Sequence, residues 1–363
     1  MRRTFRPAVA AAALIGVVST GVGAAPARAA APAKVYTQLN GDGSGTYYLH
    51  FEAAAGTRNT PVFTRSGTTL IVDDRVPLKA GAGCVAVKGD STKVRCTRPL
   101  WYDIIAALGD GNDTLTNKIR VRFWGSGGAG TDTLYGGPGI DLFHGDGGND
   151  TLYGGAGDDQ LLGGAGVDHV WGGTGNDGLV GNENTDYLHG QSGADYLVGT
   201  AGNDFLYGED GPDNLEGGSG NDKLYGGDGA DLLRSRPYPG MADSDYYSGG
   251  LGTDTVTFAD QAGPVTADAD GVKGDDGVSG ERDTVDVDVN VLVGGSGDDR
   301  LSGVYGRQVQ LFGGRGDDTL RITGTNTGAS RPNLLDGGAN RTAAGDLCST
   351  VAPKADTRLD CER

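Results

Sequence analysis

The chain has 363 residues, 68 of them glycine, and 48 acidic against 30 basic residues give a formal charge of −18. Glycine at that density loses conformational entropy on folding and buries no side chain, so the chain is either disordered or held by something external. The charge argues against nucleic acid and acidic membranes as partners.

Residues 1–29 read as a secretory signal peptide: basic Arg2, Arg3 and Arg6, an apolar stretch from Ala8 to Val18, and the small-residue cleavage site Ala27-Arg28-Ala29. Arg2-Arg3 half-resembles a twin-arginine signal, but Arg6 breaks its hydrophobic follow-up, which favours general secretion. An extracellular, secreted protein is expected, with no transmembrane segment further along.

Residues 34–107 alternate as strands do in Val35-Tyr36-Thr37, Tyr47-Tyr48-Leu49-His50-Phe51 and Thr69-Leu70-Ile71-Val72, and predict a small all-β domain. Its last strand runs from Trp101 to Leu108 into a first repeat-like turn at Gly109 to Leu115, which contains Asp113.

Residues 108–234 are periodic. Rows of nine set from Gly127 run unbroken twelve times and end at Arg234. The first place is always glycine, as in Gly127, Gly136, Gly145 and Gly154, and the fourth is glycine in all rows but that of Asn184, as in Gly130, Gly139, Gly148 and Gly157. The sixth place is aspartate throughout: Asp132, Asp141, Asp150, Asp159, Asp168, Asp177, Asp186, Asp195, Asp204, Asp213, Asp222 and Asp231. The eighth is always large and apolar.

Over residues 235–333 the register breaks and returns, with sixth-place residues at Asp254, Asp299 and Asp318. Between the returns, Pro264 to Ala267 and the alternation from Thr284 to Val289 predict strands, with Asp286 and Asp288 on a solvated face. Residues 334–363 are expected to cap the open end. Four cysteines in an exported chain predict disulfides, and short spacing favours Cys84 with Cys96 and Cys348 with Cys361 over the two other connectivities.

Aspartates outnumber glutamates 42 to 6, which suits short carboxylates projected from tight turns onto a hard cation better than a merely solubilising surface. The rows follow G-G-x-G-x-D-x-U-x and resemble the repeats-in-toxin (hemolysin-type) family, most closely the stand-alone secreted calcium-binding proteins of high-GC Gram-positive bacteria. The resemblance is strongest over 127–234 and reaches, with scattered rows, from about 109 to 321. It implies an all-β, calcium-loaded parallel β-roll of eighteen residues per coil, with several Ca²⁺ ions on the aspartates and glycines just named and about ten inter-turn sites in the unbroken rows. A core so thin leaves folding dependent on the ion.

At eighteen-residue spacing the ninth places align Tyr135, Tyr153, Trp171, His189, Tyr207 and Tyr225, and the seventh places add His169, Tyr187 and Phe205. An outward aromatic ladder stabilises a sheet by stacking, and a polysaccharide, cell-wall or protein partner could also dock there. The chain shows neither H-E-x-x-H nor G-x-S-x-G, and His50, His144, His169 and His189 are dispersed, so a non-enzymatic structural, adhesive or surface-interaction role is expected. The alternative is a secreted hydrolase or polysaccharide-modifying enzyme with an unrecognised N-terminal site.

Overall fold

Each nine-residue row becomes one strand, and successive rows alternate between two sheets. The computed structural model describes residues 32–39, 47–97, 101–236, 243–279, 281–304, 309–323, 333–338, 346–350, 357–359 and 361. The leader expected over residues 1–29 and the loop at Pro237 and Pro239 lie outside them. Among the described residues no helix occurs, and the strands form sheets of 16, 13 and 5 members. No helix there is long and apolar enough to cross a membrane.

Thr151–Ala156, His169–Thr174 and Tyr187–Ser192 are parallel neighbours in the 13-stranded sheet; Gln160–Ala165, Gly178–Glu183 and Tyr196–Ala201 are neighbours in the 16-stranded one. Leu152 pairs with Val170 and Leu161 with Leu179, so one coil takes eighteen residues. These strands are longer than the eighth-place pattern alone predicts, because the glycine-rich second and third places keep pairing, as Gly155 does with Gly173. The eighth-place side chains from Leu134 to Leu233 are fully buried between the sheets. The architecture is an all-β parallel β-roll.

The N-terminal strands extend the same two sheets. Tyr47–Glu52 lies parallel to Trp101–Ala107, which lies parallel to Arg122–Ala129. On the other sheet Val62–Ser66 pairs with Thr114–Asn117 and then, antiparallel, with Thr69–Asp73. Phe51, Phe63, Phe123 and Phe143 meet edge to face at 6.0, 4.9 and 6.0 Å, so an aromatic core joins this segment to the first coils. The disulfide Cys84–Cys96 links Cys84–Val87 to Asp90–Thr97 at the far end of the 13-stranded sheet.

Beyond Arg234 the 16-stranded sheet continues through Thr255–Thr257, Val291–Val293, Gln310–Phe312, Leu334–Asp336 and Thr357–Leu359. The 13-stranded sheet ends with Tyr246–Gly252 and Thr284–Val285, and a third sheet containing Val265–Asp268, Arg300–Val304 and Thr319–Thr323 follows. Cys348 is bonded to Cys361. The strand predicted from Thr284 to Val289 stops at Val285, and its aspartates are not a solvated face. Asp288 accepts the Ser248 hydroxyl at 2.8 Å and the N–H groups of Gly249 and Gly250 at 2.9 and 3.0 Å, while Asp286 accepts the Tyr246 hydroxyl.

Candidate metal centre

The eighteen-residue coil stacks sixth-place aspartates of alternate rows directly over one another. In one ladder the Asp132 N–H donates to Asp150 Oδ1 at 2.7 Å, Asp150 to Asp168 at 2.7 Å, and Asp168 to Asp186 and Asp186 to Asp204 at 2.8 Å. In the other, Asp141, Asp159, Asp177 and Asp195 each donate to the next carboxylate at 2.8 Å, ending on Asp213. Each carboxylate that accepts in these ladders therefore spends Oδ1 on backbone. In fourteen of the sixteen expected aspartates Oδ2 is buried and accepts no hydrogen bond.

First-place glycines keep space in front of that oxygen. A Cβ on Gly154 would lie 2.5 Å from Asp159 Oδ2 and 2.4 Å from the Gly172 carbonyl oxygen of the next coil. The fourth place needs glycine for a second reason: Gly157 sits at φ +134°, and a Cβ there would lie 2.2 Å from the Gly139 carbonyl oxygen. Each turn thus encloses a small all-oxygen cradle of one carboxylate and glycine carbonyls.

Burial first, and then the neighbouring carboxylates of the ladder, push these acids up: Asp150, Asp177 and Asp213 to about 7 and Asp186 to about 8. The backbone N–H that each accepts opposes the shift without cancelling it. Buried, unpartnered carboxylate oxygens beside carbonyl oxygens suit a hard divalent cation, which takes six to eight oxygens at flexible geometry.

The family description of the RTX calcium-binding nonapeptide repeat matches residues 126–161, 144–179, 162–197, 180–215, 207–235, 240–256, 287–303 and 310–321. These rows are RTX calcium-binding repeats. Among curated proteins none matches the chain. The RTX array makes this a calcium-binding protein with a structural role.

Two expected residues differ from the other RTX aspartates. Asp141 Oδ1 takes the Asn117 side-chain amide at 2.9 Å and its Oδ2 the Gly137 N–H at 2.8 Å; Asp299 takes the N–H groups of Val265 and Gly295 at 2.8 and 2.7 Å. In each, irregular chain outside the row supplies the donor to Oδ1, Asn117 or Val265, and the row's own second-place glycine, Gly137 or Gly295, donates its N–H to Oδ2. At the N-terminal end Asp113 accepts the Asn59 N–H at 2.6 Å and donates to Asp132, keeping Oδ2 free of partners.

The ladders also run on through residues the period does not reveal. Asp222 donates to Asp245 Oδ1 at 2.8 Å, Asp245 to Asp283 at 3.0 Å, and Asp318 to Asp346 at 2.7 Å. Asn290 takes the corresponding place after Asp254 without a charge, at 2.9 Å. The available signal was an aspartate two residues before a buried apolar side chain, as in Asp245-Tyr246-Tyr247 and Asp283-Thr284-Val285.

On the outer surface of the 13-stranded sheet the aromatic ladder is continuous. Tyr135, Tyr153, Trp171, His189, Tyr207 and Tyr225 stack at 5.0, 4.8, 5.5, 4.7 and 5.1 Å, with ring planes within 13° of parallel. His169, Tyr187 and Phe205 form a second stack at 4.7 and 4.9 Å, ending under Lys223 Nζ at 5.0 Å. Tyr135 at the end of the ladder is exposed, and the other rings are half-buried.

Proposed function

We propose that the protein is exported and acts outside the cell as a non-enzymatic scaffold whose RTX array folds on binding calcium. The ladder of buried Oδ2 atoms without partners carries the reading: a dozen stacked carboxylates repel one another unless cations lie between them. The sixth-place aspartates and the first- and fourth-place glycine carbonyls are the ligands. Residues 1–29 are the leader, 34–107 a β-rich head on which the coils of 108–234 stack, 235–333 an interrupted continuation, and 334–363 the cap. Low cytosolic calcium leaves such a chain extended for export, and millimolar external calcium folds it if its sites fall in the roughly 10⁻⁴–10⁻³ M range of extracellular modules.

The stacked aromatic face supports an adhesive or surface role, with a polysaccharide, cell wall or protein against Tyr135, Tyr153, Trp171, Tyr207 and Tyr225. Far-ultraviolet circular dichroism of the leaderless chain, titrated from chelator to millimolar calcium and repeated with magnesium, tests the folding switch. A cooperative gain of β signal in calcium alone is the expected result. A spectrum that calcium leaves unchanged overturns it.

A further inference from the structure

A second kind of acidic centre stands where the nonapeptide register is lost. Asp243 and Asp245 precede the strand Tyr246–Gly252, and Asp283 precedes Thr284–Val285, its parallel partner at the end of the 13-stranded sheet. The Arg282 N–H donates to the Asp243 carbonyl at 3.0 Å, drawing the two segments together. One carboxylate oxygen from each of Asp243, Asp245 and Asp283 lies within 4.8 Å of the others. Their exposures are only 8%, 8% and 1%, and among the described residues no basic side chain forms an ion pair with any of them.

A separate observation points to a ligand. Asp283 Oδ1 accepts the Asp245 N–H, but Oδ2 is buried and accepts nothing. The space beside that oxygen is kept open by Gly277, at φ +102°: a Cβ there would lie 2.9 Å from Asp283 Oδ2 and 2.9 Å from Glu281 Oε2. Three converging carboxylates with a fourth alongside cannot all stay ionised in a buried place without a counter-charge.

We infer that Asp243, Asp245 and Asp283 hold a calcium ion of their own, outside the G-G-x-G turns. The donor set is carboxylate oxygen with no nitrogen or sulfur, which selects a hard cation. It differs from the repeat turns, where each row brings one carboxylate and the remaining oxygens are backbone. Three formal negative charges at one point favour a trivalent ion over calcium, so terbium exchanges into this centre ahead of the array. Tyr247, fully buried with its hydroxyl donating to Asp245 Oδ2 at 3.0 Å, is placed to sensitise terbium emission there.

The test uses the full calcium-loaded chain. Native mass spectrometry counts bound ions in the wild type and in Asp243→Asn, which leaves the Asp222–Asp245 and Asp245–Asp283 hydrogen bonds in place. The variant should carry one ion fewer with an unchanged circular dichroism spectrum. In parallel, one equivalent of terbium added to the calcium-loaded wild type should displace one calcium and emit under tyrosine excitation, and Tyr247→Phe should cut that emission at least about twofold while the ion count stays the same. Equal ion counts in wild type and Asp243→Asn would overturn the inference and leave the cluster sharing protons. Should Asp243→Asn fail to fold, terbium emission indifferent to Tyr247→Phe overturns it by itself. The calcium-driven folding of the array is read separately by circular dichroism, so either idea can fail alone.

Discussion

Asp168 Oδ1 accepts the backbone N–H of Asp150, eighteen residues earlier, at 2.7 Å, while its Oδ2 accepts nothing. One side chain therefore fixes the register between two coils and still offers an oxygen to an ion. The two tasks can be separated by substitution.

Asp186→Asn keeps an oxygen for the Asp168 N–H but removes the charge. It should raise the calcium midpoint of folding with little loss of stability at saturating calcium. Asp186→Ala also strands that buried N–H and should cost a further ~1–3 kcal/mol. Paired calcium titrations and thermal melts check both, and identical behaviour of the two variants would mean that the bond between coils contributes nothing.

Without calcium the pH dependence should run opposite to that of most acid-rich proteins. Burial raises Asp186 to about 8 and Asp150 to about 7 in the folded chain, from an ordinary value near 3.8. The folded form therefore binds more protons than the unfolded one. The stability this contributes is complete below 3.8 and is lost as pH rises through about 7 to 8. In chelator, β signal should be greatest in acid and fade towards neutrality; in calcium, acidification should instead release the ion. Circular dichroism across pH with and without chelator decides.

Glycines of the array should differ sharply in tolerance. Gly154→Ala puts a methyl 2.4 Å from the Gly172 carbonyl and 2.5 Å from Asp159 Oδ2, so it should raise the calcium requirement and lower the melting temperature. Gly178→Ala meets nothing nearer than 3.9 Å and should be within about 0.5 kcal/mol of wild type. Calcium-loaded melts of the two variants give the comparison.

Thr200 occupies a second place at φ +90°, a conformation that a β-branched residue adopts only under strain. Thr200→Gly should stabilise the calcium-loaded protein by ~1 kcal/mol. A melting temperature that falls would show that the threonine methyl or hydroxyl matters more than its backbone.

If the aromatic ladder is a docking face, Trp171→Ala with Tyr207→Ala should abolish cell-wall or polysaccharide retention while calcium-dependent folding survives. Loss of folding together with retention would identify the stack as purely structural.

The part of the fold legible in the sequence was the part with a period. Asp186, Leu188 and Trp171 could be placed on corner, core and outer face from ninefold and eighteenfold spacing alone. Asp283 and Asp346 could not, because chain of irregular length precedes each and the ladder is rejoined only in three dimensions. Alternation misled at Thr284 to Val289, where Asp288 serves the Gly249 and Gly250 amides instead of continuing a strand. The N-terminal strands were legible as strands, but alternation names a buried face without naming its partner. The packing of Phe63 on Phe123, which lie sixty residues apart, leaves no trace in the spacing of either. Asp141 has the same motif as Asp159 and differs because the Asn117 amide reaches its Oδ1 and the Gly137 N–H its Oδ2.

Pairing at exactly two rows makes the coil a unit of length. Deleting residues 163–180 would bring Leu188 onto Leu152 and His189 onto Tyr153, shortening the rod by one strand spacing, ~4.8 Å, with both sheets and both aspartate ladders conserved. Deleting nine residues would instead transfer every later row to the opposite sheet and set Val180 and Val198 among the tyrosines. A gene for such a protein can therefore grow or shrink by even numbers of rows without redesign, and odd steps are penalised along its whole downstream length.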